Sequence, residues 1–155
     1  MNLFDKFLEV FKVFEKESVE YILIGGFAII LHGFPRLTQD IDILLKMSDS
    51  NIKKLQDALF KIFGDQDVYK ITFDDLKEYA VVRYGSPDGF HLDLLTRIGN
   101  ITTYKDIKYE LLQVEDIAIR TATPESLYRL KKDSIRPEDQ RDILFLKELI
   151  KSKNT

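Results

Sequence analysis

Three carboxylates in this sequence sit where their spacing could do chemistry. Asp40-Ile41-Asp42 opens a run, Asp40–Leu45, that alternates acidic with apolar residues. On a strand, residues two apart share a face, so Asp40 and Asp42 would project together while Ile41 and Ile43 point into the core. In Phe90-His91-Leu92-Asp93-Leu94 the apolar residues again take one face, leaving His91 and Asp93 on the other. Asp93 joins the first pair if its strand lies beside theirs. Like charges this close repel and raise one another's pKa unless a cation neutralises them, which makes the arrangement costly for a purely structural role. Solvated acids on an exposed edge strand are the bland alternative. Three carboxylates on one sheet face suit Mg²⁺, which takes oxygen ligands and often binds through a few carboxylates plus substrate phosphates. Two such ions could flank an in-line displacement at phosphorus.

Gly25-Gly26 supplies the complementary half, because glycines between a strand and a helix let the backbone approach a phosphate closely. Arg36 carries a planar fork that suits a carboxylate or a phosphate equally well. His32 and His91 are candidate ligands or bases, although a lone His near a glycine turn more often makes a structural hydrogen bond. Lys131 and Lys132 fall in a helix where charged residues usually face water.

These residues need elements to position them. Phe4, Phe7, Leu8, Phe11 and Phe14 recur at helical spacing between charged residues, which predicts an amphipathic helix packed on the core. Tyr21–Ile24 reads as a strand, followed by the glycine turn and a short helix over Phe27–Leu31 that stops before Gly33 and Pro35. After the acid-bearing strand, Ser48 or Asp49 offers an N-cap to a helix reaching about Phe63. Val68–Thr72, Tyr79–Tyr84 and Phe90–Leu95 read as strands, the last two joined as a hairpin through Gly85-Ser86-Pro87-Asp88-Gly89. Tyr109–Val114 and Ile117–Thr121 form a second hairpin across Glu115-Asp116. Thr123-Pro124-Glu125 opens a helix with a cap and a first-turn Pro, and Pro137 opens the closing helix, to about Lys151.

The 155 residues suggest one domain, and 45% hydrophobic with 32% charged residues are enough to fold it. A net charge of −3 gives no global attraction to nucleic acid or anionic lipid, so any polyanion must be held by a few placed groups. The absence of cysteine excludes disulfides and thiolate metal sites, leaving carboxylates and two histidines as strong ligands. No long apolar run or signal-like segment stands out, so a soluble cytoplasmic protein with no membrane partner is expected. The fold class expected is α+β: a mixed sheet flanked by helices, with a helical C-terminus, in a single domain spanning residues 1–155.

Gly25-Gly26, His32-Gly33, Arg36, Thr38 and Asp40-Ile41-Asp42 together resemble the opening motif of the polymerase-β-type nucleotidyltransferase superfamily. More narrowly, they resemble its small bacterial group of aminoglycoside and lincosamide nucleotidyltransferases and abortive-infection nucleotidyltransferase toxins. Thr123-Pro124-Glu125, Leu127, Lys131, Arg136, Asp139 and Asp142 are similar to the group's closing pattern, with Ile135 where Gly is common and Gln140-Arg141 varying the stretch before Asp142. The likeness spans about Ile22 to Ile150. It implies that Asp40, Asp42 and Asp93 hold two Mg²⁺ ions and that Gly25 and Gly26 contact the β- and γ-phosphates. Arg36, Thr38 and Lys131 fall in the nucleotide-binding set, with Arg136 a second candidate for the triphosphate. The implied activity is transfer of an NMP from an NTP, ATP among them, to an acceptor with release of pyrophosphate. A small molecule, a protein side chain or an RNA 3′ end would serve as acceptor, with a partner protein or homodimer completing its site. The alternative is a weakly active or non-catalytic binding module, such as one half of a toxin–antitoxin pair.

Overall fold

The aromatic stripe at the N-terminus packs as its spacing predicts except at Phe4, which is exposed. In the computed structural model, which describes residues 1–99 and 102–154, helix α1 (Leu3–Lys16) is capped by Asn2, whose side chain accepts from the Asp5 N–H at 2.8 Å. Phe7, Leu8, Phe11 and Phe14 are buried. Phe7 meets Phe27 and Phe90 edge-on, with ring centroids 4.9 and 5.0 Å apart, the arrangement that aromatic quadrupoles prefer. One helix thereby grips both the segment after the glycine pair and the entry to the Asp93 strand.

The strands are β1 (Tyr21–Ile24), β2 (Asp40–Leu45), β3 (Val82–Gly85), β4 (His91–Leu95), a separate small hairpin β5 (Arg97–Ile98) and β6 (Thr102–Thr103), β7 (Tyr109–Val114) and β8 (Ile117–Ala122). Six of them form one sheet in the order β3-β4-β2-β1-β8-β7. β2 is antiparallel to β1 and parallel to β4, β1 is parallel to β8, and the outer pairs β3–β4 and β7–β8 are antiparallel hairpins. The sheet is thus mixed, as expected of an α+β chain. Helix α2 (Gly25–Leu31) links β1 to the loop before β2. Helix α3 (Asp49–Phe63) starts at Ser48, whose hydroxyl accepts from the Asn51 N–H, and stops at Gly64 in the left-handed region. Helix α5 (Pro124–Lys131) is capped by Thr123 and carries Pro124 in its first turn, and α6 (Pro137–Lys153) packs against it. Among the described residues, no helix is long and apolar enough to cross a membrane.

Three expectations need correction. Val68–Thr72 is not a strand: Gln66–Lys70 forms a 3₁₀ turn and Phe73–Glu78 a helix, α4. Local capping decides this, because the Asp65 side chain accepts from the Asp67 N–H at 3.0 Å and Thr72 accepts from the Asp75 N–H at 3.2 Å. The strand expected over Tyr79–Tyr84 is correspondingly shorter, pairing only over Val82–Gly85, since the chain is still leaving α4 at Tyr79. Helix α2 begins at Gly25 rather than Phe27, so the glycine pair forms its first turn.

Asn51 fixes the two strands that carry the site. It is 1% exposed. Its Oδ1 accepts from the Glu20 N–H at 2.8 Å, and its Nδ2 donates to the carbonyls of Glu20 at 2.9 Å and Lys46 at 2.8 Å. It ties the start of β1 to the end of β2 and so supports their register. Asn51→Ala leaves these buried backbone groups unpaired and is expected to cost about 2–3 kcal/mol, measurable as a lower midpoint in urea denaturation; an unchanged midpoint would contradict this role.

Candidate functional site

The parallel pairing of β2 with β4 sets Asp42 opposite Asp93 and Asp40 opposite His91. Ile41, Ile43, Leu92 and Leu94 on the other face are all fully buried. A slip of one residue would exchange the faces and bury the acids, so the apolar pattern holds the carboxylates in place. The third acid, expected from its local pattern to join the first two, does so in this register.

Burial is the largest influence on Asp42, followed by repulsion from Asp93, a proton shared with Asp93 and repulsion from Asp40; the Lys131 charge opposes them. Together they push Asp42 from the ordinary 3.8 up to about 7. A further cation comes from β3. Arg83 lies opposite Asp93, its Nε donating to Asp93 Oδ1 at 2.8 Å and its Nη2 to Asp93 Oδ2 at 3.0 Å. The same guanidinium is 3.6 Å from Asp40 Oδ2, and His91 Nδ1 lies 3.3 Å from Asp40 Oδ1. The acids' repulsion is therefore relieved by a guanidinium and, at a pH below about 7, by a proton on Asp42. Both are groups that a divalent cation can replace, and an all-oxygen donor set on neighbouring strands fits Mg²⁺. With the side chains as they lie, no three carboxylate or imidazole groups among the described residues are set to hold a metal ion.

Gly25 borders the acids closely. Its φ is +75°, and a Cβ there would lie 2.0 Å from Asp42 Oδ2, so any side chain would collide with that carboxylate. At Gly26 a Cβ would lie 3.2 Å from Arg36 Nη1. Arg36 pairs with a carboxylate, its Nη1 donating to Asp142 Oδ2 at 2.5 Å. Lys131 donates to the same Asp142 oxygen at 3.0 Å and to Asp139 Oδ1 at 2.7 Å. Asp142 is thus held by Arg36 and Lys131, while Arg136 lies 4.0 Å from Asp139. Thr38 exchanges 3.2 Å hydrogen bonds with the Asp40 backbone at the start of β2. His32 Nε2 lies 2.9 Å from the Ala122 carbonyl, a tie between the end of α2 and the end of β8. A cavity of about 760 Å³ opens beside Arg36, bounded by Phe34, Pro35, Leu37, Pro137, Glu138, Arg141 and Asp142.

Arg83 is the site residue that reading the sequence missed. Its signal was present: counting back through the Gly85–Gly89 turn pairs Arg83 with Asp93 once the hairpin is accepted.

The architecture is that of a nucleotidyltransferase. It is similar to the lincosamide antibiotic adenylyltransferase LnuA in its lincomycin-bound structure, with 17% identity over 94% of this chain and 96% of that one and a TM-score of 0.59. An antigenic nucleotidyltransferase-like protein from Paracoccidioides brasiliensis gives 18% identity over 91% and 74% of the two chains and a TM-score of 0.58. The antibiotic-resistance factor ANT(2'')-Ia gives 14% identity over 98% and 85% and a TM-score of 0.54. No curated protein sequence matches. The chain belongs to the family described as "Nucleotidyltransferase of unknown function (DUF6036)", whose model matches residues 1–153. By that family it is a nucleotidyltransferase.

The raised Asp42 pKa gives a prediction with a definite sign. The folded protein binds this proton more tightly than the unfolded chain does, so the stabilisation is complete below about pH 4 and is lost as pH rises through about 7. Thermal unfolding in EDTA is expected to shift to lower temperature between about pH 5 and about pH 8, and Asp42→Asn to flatten that slope. Equal slopes for the two proteins would contradict it.

Proposed function

We propose that residues 1–155 act as one nucleotidyltransferase domain that moves an NMP from an NTP to an acceptor, with Mg²⁺ as cofactor and pyrophosphate as the leaving group. The observation that carries this reading is the in-register placement of Asp42 against Asp93, with Asp40 on the same sheet face. Asp40, Asp42 and Asp93 would hold the metal, which when bound supplies positive charge to the phosphate oxygens and the leaving group. The residues of the chain do the rest. The Gly25-Gly26 backbone, kept free of side chains where it borders Asp42, would receive the β- and γ-phosphates. Lys131, held by Asp139 and Asp142, would add its charge to the triphosphate. Arg36 and Thr38 would support the nucleotide site by fixing Gly26 and the start of β2. Asp93 would take the acceptor's hydroxyl proton as the acceptor oxygen bonds to the α-phosphorus and the α–β bridging bond breaks.

A small hydroxyl-bearing molecule is the acceptor this reading favours over a protein or an RNA 3′ end. Its support is the fold shared with an adenylyltransferase bound to lincomycin.

Incubation with α-labelled NTPs, Mg²⁺ and a panel of hydroxylated small molecules should yield labelled acceptor and pyrophosphate. Asp42→Asn and Asp93→Asn should each lower the rate by about 10²-fold or more. Transfer that survives in the double variant at the wild-type rate would overturn the assignment.

A further inference from the structure

The cation that already stands among the acids belongs to the protein itself. Arg83 engages both oxygens of Asp93 in a fork and comes within 3.6 Å of Asp40. Planar two-point pairing of this kind fixes the carboxylate's orientation as well as its charge. As the side chains lie, Arg83 occupies both oxygens of Asp93, and no three carboxylate or imidazole groups among the described residues are set to hold a metal ion. Nothing about the strand prevents the side chain from leaving. β3 is an edge strand of the sheet, and the Arg83 side chain is 54% exposed although its partner Asp93 is only 14% exposed. A long side chain at an edge, paired at the mouth of a site, can rotate into solvent without moving the backbone that holds Asp93.

We propose that Arg83 is a displaceable counter-cation: it closes the acidic triad when no metal is bound, and it must swing out of the fork before a divalent ion can load. This inference rests on the metal-binding reading of Asp40, Asp42 and Asp93 given above. It gives Arg83 a purpose that a structural strut would not have. The guanidinium prevents three carboxylates from facing one another unscreened, and it sets a threshold that a divalent cation must exceed. A strut that only orients Asp93 would act in the opposite sense, since its removal would loosen a ligand and weaken metal binding.

The two roles therefore separate by the direction of one measurement. Mn²⁺ is titrated calorimetrically into the nucleotide-free full-length chain, comparing wild type with Arg83→Ala, Arg83→Gln and Asp42→Asn. Removing the competing charge is expected to tighten Mn²⁺ binding by about three- to tenfold in both Arg83 variants. Arg83→Gln keeps a polar side chain in the strand and provides the comparison should Arg83→Ala fold poorly. In EDTA both Arg83 variants are expected to unfold at lower temperature than wild type, and saturating Mn²⁺ to close the gap. Equal or weaker Mn²⁺ binding in the Arg83 variants, with binding still lost in Asp42→Asn, would overturn this proposal while leaving the metal site intact. Absence of Mn²⁺ binding in wild type and Arg83 variants alike would overturn both.

Discussion

The mutual repulsion of Asp40, Asp42 and Asp93 is the constraint around which the rest of this structure is arranged. Nothing in the acids themselves favours their meeting. They meet because the opposite face of the same two strands consists of Ile41, Ile43, Leu92 and Leu94, all fully buried. Burying each such side chain contributes about 1.5–3 kcal/mol, and the register that buries all four here also sets Asp42 opposite Asp93. The protein then limits the electrostatic cost in three ways: the raised proton affinity of Asp42, the Arg83 guanidinium across Asp93, and the charge of Lys131 nearby.

A second carboxylate system supports the first from behind. Asp142 is 1% exposed, and its Oδ2 receives both Arg36 and Lys131 while its Oδ1 is buried without a hydrogen-bond partner. A lone buried carboxylate would be costly, and two cations on one oxygen offset that cost. The result joins three parts of the chain that are distant in sequence. Arg36 comes from the loop before β2, Lys131 from the end of α5, and Asp142 from α6. Arg36 in turn lies against Gly26, so the packing of the C-terminal helices reaches the glycine turn that borders Asp42. The closing pattern of the chain thus positions the opening motif.

Much of this was legible in the sequence because local pattern and tertiary context agree. Alternation at Asp40–Leu45 and Phe90–Leu95 gave both acid-bearing strands and the faces of their side chains, and the caps Ser48 and Thr123 with the first-turn Pro137 marked helix starts that the structure keeps. The segment after α3 misled because Val68 and Ile71 are each buried singly, while the Asp65 and Thr72 caps turn the backbone away from any sheet. Partner identity was the other gap. Asp139 and Asp142 sit near Arg136 in sequence, but burial brings Lys131 and Arg36 to Asp142, and periodicity carries no information about that choice. Arg83 stayed hidden because its importance depends on cross-strand register, which sets it opposite Asp93 and which side-chain alternation within one strand does not specify.

Diffraction at the manganese edge, from crystals grown with Mn²⁺ and a non-hydrolysable NTP analogue, tests the central claim most directly. The expected result is an anomalous peak bounded by Asp40, Asp42 and Asp93, with the triphosphate beside Gly25-Gly26 and Arg83 withdrawn from Asp93. A nucleotide bound elsewhere, with the Arg83–Asp93 pair intact and no manganese at the three acids, would contradict it.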